Sequence, residues 1–221
     1  MSESSGQGPA SGGTRSVIHD LRQPLAALQV WIELLESSVK GKLDEKEQRY
    51  LSKIREETSR LAALLSSAAG AASAPDAPAE QPAAESAPGL RLAGAPLLVV
   101  EDDDVTAEAL QLALESEGAS VAIAASIADA LALFEASPPI AVLSDLRLPD
   151  GDGFALVREI RKRDEASGAR TAVVAVTGFD NDETRAATRA AGFDDLVGKP
   201  FSIAHLVALL GRLIAGKGRR V

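Results

Sequence analysis

The chain has 221 residues, a net charge of −9 and a pI of about 4.8, and 46% of its residues are hydrophobic but only 3% aromatic. This length suits one medium domain with a smaller element, or two small domains, with an aliphatic core. The net negative charge argues against a nucleic-acid-binding surface, because phosphate binding requires clustered Lys and Arg. Without cysteine, disulfides and thiolate metal sites are excluded.

The first fourteen residues are rich in Gly and Ser and lack the apolar run of a signal peptide. We expect residues 1–14 to be disordered, since they cannot bury enough apolar surface to offset the entropy of ordering. No stretch approaches the roughly 18 consecutive apolar residues of a membrane helix. A cytoplasmic protein without a membrane partner is therefore expected.

Apolar residues next recur at alternating spacings of three and four, which predicts a helical hairpin over residues 15–68. Its helices are expected at Thr14–Ser38 and Asp44–Ala68. The narrow apolar stripes consist of Ile18, Leu21, Leu25, Leu28, Ile32 and Leu35 in the first helix, and Leu51, Ile54, Thr58, Leu61 and Leu65 in the second. A hairpin alone cannot cover both stripes, so we predict a homodimer through a four-helix bundle. The alternative is that the hairpin docks on the rest of the same chain.

Residues 69–93 are rich in Ala, Pro, Ser and Gly and are predicted to be a linker. Beyond it, short apolar runs alternate with amphipathic helices over residues 94–216, which indicates a doubly wound α/β fold with a five-stranded parallel sheet. A short basic tail, 217–221, follows. Strands are predicted at Leu97–Val100, Val121–Ala124, Ile140–Ser144, Ala172–Val176 and Asp195–Val197. Helices are predicted near Thr106–Glu117, Ile127–Ala136, Gly153–Asp164, Asp182–Ala191 and Ser202–Leu213.

Chemically active residues follow four of these strands, and ligands of doubly wound sheets bind at the carboxyl ends of the strands. Converging carboxylates repel one another, and a hard divalent cation, best Mg²⁺, is the usual remedy. A lysine and a threonine there could neutralise and hydrogen-bond a phosphoryl group, leaving an aspartate as the nucleophile. The residues are Glu101 and Asp102 after the first strand, Asp145 after the third, Thr177 after the fourth and Lys199 after the fifth.

Four segments, LLVVEDDD, VLSDLRLPDGDGF, VAVTGFD and VGKPF, resemble the signatures of two-component response-regulator receiver domains, which have a flavodoxin-like (βα)5 fold. The resemblance covers residues 95–216. It implies that Mg²⁺ is bound by Glu101, Asp102, Asp145 and the backbone carbonyl of Arg147. Asp145 would also be the phosphorylation site, Thr177 and Lys199 would contact the phosphoryl group, and the Lys199–Pro200 peptide would be cis.

One position departs from the family pattern. Leu196 stands three residues before Lys199, where receivers often carry a Tyr or Phe that swings inward on phosphorylation. This position therefore lacks the aromatic side chain that usually signals on the surface of the fourth helix and fifth strand. Beside the acidic cluster, Asp104 is predicted to be the N-cap of the next helix and Asp103 a secondary candidate ligand.

A second candidate site centres on His19, beside the stripe of the first helix. Asp20 can orient the imidazole and raise its basicity, while Pro24 should kink the helix. The segment HDLRQPL resembles the phospho-acceptor box of sensor histidine kinases, and residues 15–68 their dimerisation and phosphotransfer hairpin. The resemblance implies that His19 is phosphorylated and that Asp20 is its acid/base partner. Gln23 stands where such kinases often carry a Thr or Asn that positions a hydrolytic water.

A histidine kinase also needs an ATP-binding domain, and residues 66–96 leave no room for one and contain no Gly-rich phosphate loop. We therefore expect no autonomous ATP-dependent kinase activity. The leading hypothesis is a phosphorelay protein that exchanges a phosphoryl group between His19 and Asp145, served by a histidine kinase or phosphotransfer protein. One alternative is a response regulator whose hairpin only dimerises and docks. Another is a phosphatase in which Gln23 and Asp20 activate water against an aspartyl phosphate.

Overall fold

The structure is a computed structural model that describes residues 10–39, 42–43, 45–68, 92–178 and 180–217. Its first two elements form the expected hairpin: helix α1 (Ala10–Val39) and helix α2 (Glu45–Ala68) pack side by side. α1 runs unbroken through Pro24. The expectation of disorder over 1–14 is wrong for residues 10–14, because helix propagation adds a hydrogen bond for each residue fixed. Residues 1–9 lie outside the described part.

The stripe predicted along α1 divides into two sets. Leu25 and Ile32 are buried, at 7% and 8% exposure, whereas Leu21, Leu28 and Leu35 are about half exposed. In α2, Thr58 and Ala62 are buried. The exposed large apolar residues of α2 are Tyr50, Ile54, Leu61 and Leu64. One apolar side of the hairpin is therefore covered within the chain, and another is not.

The remaining residues form an α/β domain around a five-stranded parallel sheet, as predicted. The apolar runs of its three middle strands are buried almost throughout, as is typical of a sheet covered on both faces. The strands are β1 (Pro96–Val100), β2 (Ser120–Ala124), β3 (Ala141–Asp145), β6 (Ala172–Thr177) and β7 (Asp195–Gly198), in the order β2-β1-β3-β6-β7. A two-stranded antiparallel ribbon, β4 (Arg147–Leu148) and β5 (Gly151–Asp152), follows β3 directly.

Five helices cover the two faces of the sheet. Several begin where a polar side chain accepts a hydrogen bond from the third amide of the helix, as N-caps do. The capping residues are Asp103, Ser126, Asp152 and Asn181. The helices are α3 (Asp104–Ser116), α4 (Ile127–Ala136), α5 (Gly153–Ser167), α6 (Asp182–Ala191) and α7 (Ile203–Lys217). Asp103 rather than Asp104 therefore caps α3, which corrects the prediction: its carboxylate accepts from the amide of Thr106 at 2.8 Å.

The hairpin docks on the face of the α/β domain that carries α3 and α7. Val30 of α1 is 1% exposed and belongs to the same buried cluster as Leu110 of α3 and Leu206 of α7. Ala26 and Ala27 are equally buried, and their small side chains allow α1 to lie close to α3. The hairpin and the α/β domain thus share one core.

The domain boundary lies slightly earlier than expected. Leu92, assigned to the linker from the sequence, is 2% exposed and its amide donates to the carbonyl of Glu117. Residues 69–91, the rest of the predicted linker, lie outside the described residues, as do 218–221 of the predicted basic tail. No helix in the described part of the chain is long and apolar enough to cross a membrane.

Candidate functional site

Four strands deliver polar side chains to the carboxyl edge of the sheet. Glu101 follows β1, Asp145 ends β3, Thr177 ends β6 and Lys199 follows β7. Because β1, β3, β6 and β7 are consecutive parallel neighbours, their carboxyl ends lie side by side. All four residues are buried, at 2 to 5% exposure.

Lys199 holds the two carboxylates together. Its Nζ lies 2.6 Å from Oε2 of Glu101 and 2.7 Å from Oδ2 of Asp145. Such a buried group of charges is tolerated only when each charge is paired and hydrogen-bonded. The lysine is thus the counter-ion of the site.

Burial and mutual charge shift the protonation equilibria of these groups. Burial raises the pKa of Glu101 to about 7, and the negative charge of Asp145 adds to this, whereas Lys199 opposes it. Burial alone would lower the pKa of Lys199, but the charges of Glu101 and Asp145 outweigh it and raise that pKa above its ordinary value. Lys199 therefore stays charged at neutral pH, while Glu101 binds a proton more readily than an exposed glutamate does.

The loop after β3 fixes Asp145. The amide of Arg147 donates to Oδ1 of Asp145 at 3.0 Å, and the amide of Gly153 donates to the carbonyl of Leu146. Gly153 must be glycine, because a Cβ there would lie 2.5 Å from the carbonyl oxygen of Asp145. The carboxylate of Asp150 ties the loop to α4 by accepting from the amides of Ile127 and Ala128.

A hydrogen bond between β6 and β7 positions Lys199 beside Thr177. The amide of Lys199 donates to the carbonyl of Thr177 at 2.6 Å. The Lys199–Pro200 peptide is cis, which confirms the expectation from the sequence. Leu196, at the position where an aromatic residue is common, is 6% exposed and packs in the core.

The hairpin reaches this site directly. Nε2 of Gln23 in α1 donates to Oε1 of Glu101 at 3.0 Å. Both oxygens of Glu101 are thus hydrogen-bonded, one to the hairpin and one to Lys199. Gln23 is a candidate residue in the sequence, but its contact with Glu101 could not be predicted, because no local signal gives the direction of docking.

Similarity to known proteins agrees with this arrangement. Residues 97–211 match the response regulator receiver domain, and residues 14–68 match the His Kinase A phospho-acceptor domain. The receiver match alone covers more than half of the chain. The chain belongs to the response regulator receiver family.

Curated relatives match the receiver part of the chain. An uncharacterized 14.6 kDa protein of Leptolyngbya boryana is 35% identical over 119 residues, which are 54% of this chain and 89% of that protein. The transcriptional regulatory protein PmrA of Pectobacterium parmentieri is 36% identical over 53% of this chain and 51% of its own length. The acid tolerance regulatory protein ActR of Rhizobium meliloti is 35% identical over 57% and 61%. The chain thus spans about half the length of PmrA and somewhat more of ActR.

Solved receivers have the same fold. A putative response regulator from Chloroflexus aurantiacus superposes with a TM-score of 0.52 at 31% identity, over 55% of this chain and 98% of that one. A CheY-like receiver domain protein from Methanospirillum hungatei gives 0.53 at 26% identity, over 57% and 98%. The flavodoxin-like fold expected from the sequence is confirmed.

The predicted cation ligands of this receiver fit Mg²⁺ in their chemistry but are only partly gathered. Glu101 and Asp145 offer hard carboxylate oxygens that share a positive partner, whereas the side chain of Asp102 is exposed. Among the described residues, no three His, Cys, Asp or Glu side chains are arranged to hold a metal ion. The secondary candidate Asp103 serves as a helix cap. Lys199 pairs with both of the gathered carboxylates.

The second predicted site lies on the docked helix. The backbone of α1 places His19 about one helical turn before Gln23. The side chains of His19 and Asp20 lie outside the described part. Docking therefore brings the phospho-acceptor segment of the hairpin to the edge of the sheet that carries Asp145.

Proposed function

We propose that this protein is a phosphorelay component in which a Mg²⁺-dependent receiver accepts a phosphoryl group from phosphohistidine onto Asp145, with His19 as the second relay site. The hydrogen bond between Gln23 and Glu101 carries the proposal, because it joins the hairpin's phospho-acceptor segment to the receiver's acidic site. The upstream donor would be a histidine kinase or a phosphotransfer protein. The coarser assignment, a receiver joined to a HisKA-like hairpin in two-component signalling, rests on the family matches.

Each buried group has a role in this reaction. Asp145 supplies the nucleophilic oxygen, and the amide of Arg147 orients its carboxylate. Lys199 already contacts Asp145 and would pair with a phosphoryl oxygen, while Thr177 would donate a hydrogen bond to another. When bound by Glu101, Asp102, Asp145 and the carbonyl of Arg147, Mg²⁺ would neutralise charge on the transferring group.

The transfer exchanges one phosphorus bond for another. The P–N bond of phosphohistidine breaks as a carboxylate oxygen of Asp145 bonds to phosphorus, giving an acyl phosphate. The imidazole leaves with the electron pair of the broken bond and is neutral once His19 carries a single ring proton. Reversal returns the phosphoryl group to His19, so the same geometry serves both directions of flow.

We also propose that the hairpin dimerises through the side that the receiver leaves open. Leu21, Leu28 and Leu35 recur every seven residues along α1, and Ile54 and Leu61 do so along α2. These side chains are 46 to 53% exposed, and a second copy presenting the same stripes would cover them. Such a four-helix bundle leaves the receiver docked on the other side.

A second candidate function is hydrolysis of the aspartyl phosphate. The contact between Gln23 and Glu101 favours it, because the Gln23 amide stands at the acidic edge where a water would attack phosphorus. The amide can orient that water by hydrogen bonding, and the Asp145 carboxylate is the leaving group. Slower loss of acyl phosphate in Gln23→Ala, with Gln48→Ala as a surface control, would support this activity.

Site-resolved labelling tests the relay. The chain is incubated with phosphoramidate, with and without Mg²⁺, and phosphorylated residues are located by mass spectrometry and by acid and hydroxylamine lability. We expect acid-labile label on His19, and hydroxylamine-sensitive label on Asp145 only with Mg²⁺. His19→Ala should retain direct labelling of Asp145 but lose the acid-labile pool. Absence of label on His19 in wild type would reduce the hairpin to a docking and dimerisation device.

A further inference from the structure

The face of α1 that meets the receiver is closed along its length. Ala26, Ala27 and Val30 are each at most 2% exposed. Polar contacts secure both ends: Gln23 donates to Glu101, and Oε2 of Glu33 accepts from the amide of Ile203 at 2.8 Å. Ten residues, about 15 Å of helix, separate these contacts.

The second polar contact lies at the start of α7. Free amides at a helix N-terminus need acceptors, and a carboxylate there also interacts favourably with the helix dipole. Glu33 of the hairpin is such an acceptor, and the helix whose amide it accepts from is α7 of the receiver. The position in which the hairpin docks is therefore fixed by hydrogen bonds as well as by the burial of apolar side chains.

Asp145 lies at the sheet edge on which the hairpin docks. That residue is 3% exposed, and α1 stands at the same sheet edge, bonded to Glu101. A phosphohistidine on another molecule must bring its imidazole to this edge and meets a helix already seated there. We propose that the docked hairpin favours transfer between Asp145 and the chain's own His19, and that a phosphohistidine donor on another molecule reaches Asp145 only after the hairpin has undocked.

The tether strengthens this selectivity. Residues 69–91, which the sequence predicts to be a linker, join the hairpin to the receiver in one chain, and a tether of this kind gives an effective concentration of about millimolar. An outside donor at micromolar concentration then competes at a disadvantage of about a thousandfold at equal intrinsic affinity. The inference rests on the proposed relay, because it names the donor that the receiver accepts.

Two full-length chains separate transfer within a chain from transfer between chains. The donor carries Asp145→Ala and is loaded on His19 with phosphoramidate, and the acceptor carries His19→Ala. Both carry Leu28→Asp, so that pairing through the exposed stripe does not contribute. The rate at which label appears on Asp145 of the acceptor is compared with cis transfer in an otherwise wild-type Leu28→Asp chain.

Val30→Asp opens the docked face, and its effect should depend on which chain carries it. In the acceptor it removes the shield and should raise the rate of transfer between chains at least tenfold. In the donor it places a charge on the helix face that must dock on the acceptor's receiver, and it should therefore abolish transfer between chains. Leu35→Asp, an equivalent change on the exposed side of α1, should alter neither rate. Equal rates with shielded and opened acceptors, or transfer between shielded chains as fast as cis transfer, would overturn the proposal.

Trp31, the single tryptophan, reports docking without any chemistry, because it packs against the shared core. Val30→Asp should shift its emission to longer wavelength while helical circular dichroism is kept. Unchanged emission would show that this face is not docked and would refute the proposal.

If Val30→Asp loses helix, Glu33→Lys opens the same face by placing an ammonium at the N-terminus of α7. If His19 takes no label, the relay has failed, but shielding is still measured as faster labelling of Asp145 by acetyl phosphate in Val30→Asp. An unchanged rate there would refute the shielding.

Discussion

Gln23 of the hairpin and Glu101 of the receiver lie within hydrogen-bond distance, 3.0 Å from Nε2 to Oε1, although 78 residues separate them in the chain. The other oxygen of Glu101 binds Lys199, which also binds Asp145. A short chain of contacts thus runs from the hairpin to the proposed phosphorylation site. Changes at one end should be measurable at the other.

Removing the buried counter-ion should destabilise the receiver. Lys199→Met leaves Glu101 and Asp145 buried without their cation, and breaking a buried ion pair costs about 3–5 kcal/mol. We expect a loss of about 3 kcal/mol in the free energy of unfolding at pH 8 without Mg²⁺, measured by denaturant titration. Lys162→Met removes only an exposed pair with Glu159 and should change stability by less than about 0.5 kcal/mol. Similar losses in both variants would contradict this view of the site.

Docking should weaken with rising pH through Glu33. Burial raises the pKa of Glu33 above its ordinary value of 4.5, and this outweighs the opposing effects of the Ile203 amide, Arg55 and Ser202. Docking therefore favours the protonated form of Glu33, and this contribution to docking is fully present below pH 4.5 and is lost as pH rises through the raised pKa.

Glu33→Gln isolates this titration, since it keeps an acceptor for the Ile203 amide but cannot ionise. The emission of Trp31 should depend on pH less steeply in the variant than in wild type. Contributions of Glu101 are common to both proteins and cancel in the comparison. Parallel pH profiles would show that Glu33 does not control docking.

Two glycine substitutions should have opposite effects. Gly153→Ala forces a Cβ against the carbonyl oxygen of Asp145, and overpacking of this kind costs about 1–3 kcal/mol. It should also slow labelling of Asp145, because the loop that orients the carboxylate must move. Gly211→Ala, in the interior of α7 with open space around it, should stabilise the protein by about 0.5–1 kcal/mol. Thermal unfolding and acetyl phosphate labelling of both variants test the pair.

The exposed stripe should control assembly independently of docking. Leu28→Asp places a charge at the centre of the proposed dimer interface, on a side chain that is 53% exposed and away from the receiver. Sedimentation velocity should show dimers for wild type and monomers for this variant, with the emission of Trp31 unchanged. A monomeric wild-type protein at high micromolar concentration would rule out the bundle.

Much of the fold could be predicted from the sequence because the relevant signals are local. Apolar runs and helical periods predict the five main strands and the seven helices of the described residues to within a few residues, and the strand ends place Glu101, Asp145, Thr177 and Lys199 at one edge. The N-cap of α3 was misplaced by one residue because Asp103 and Asp104 are chemically equivalent in the sequence. Only the backbone decides which carboxylate faces the amide of Thr106.

The sequence raises docking of the hairpin on the rest of the chain only as an alternative, and the docked face could not be predicted, because its signals are weak in sequence. The most buried side chains of α1 include Ala26, Ala27 and Val30, which lie beside the leucine stripe and are too small to dominate an apolar pattern. The bonds of Gln23 and Glu33 to the receiver join residues distant in the chain. Their partners are fixed only when both domains have folded and packed together.

The most direct test follows a single phosphoryl group along the chain. The protein is loaded on His19 with phosphoramidate without Mg²⁺, the reagent is removed, and Mg²⁺ is added while phosphohistidine and acyl phosphate are followed by ³¹P NMR. We expect the His19 signal to decay as an Asp145 signal appears, at a rate independent of protein concentration. The Asp145 signal should be absent in Asp145→Asn. Phosphohistidine that persists or hydrolyses without forming acyl phosphate on Asp145 would contradict the proposed relay.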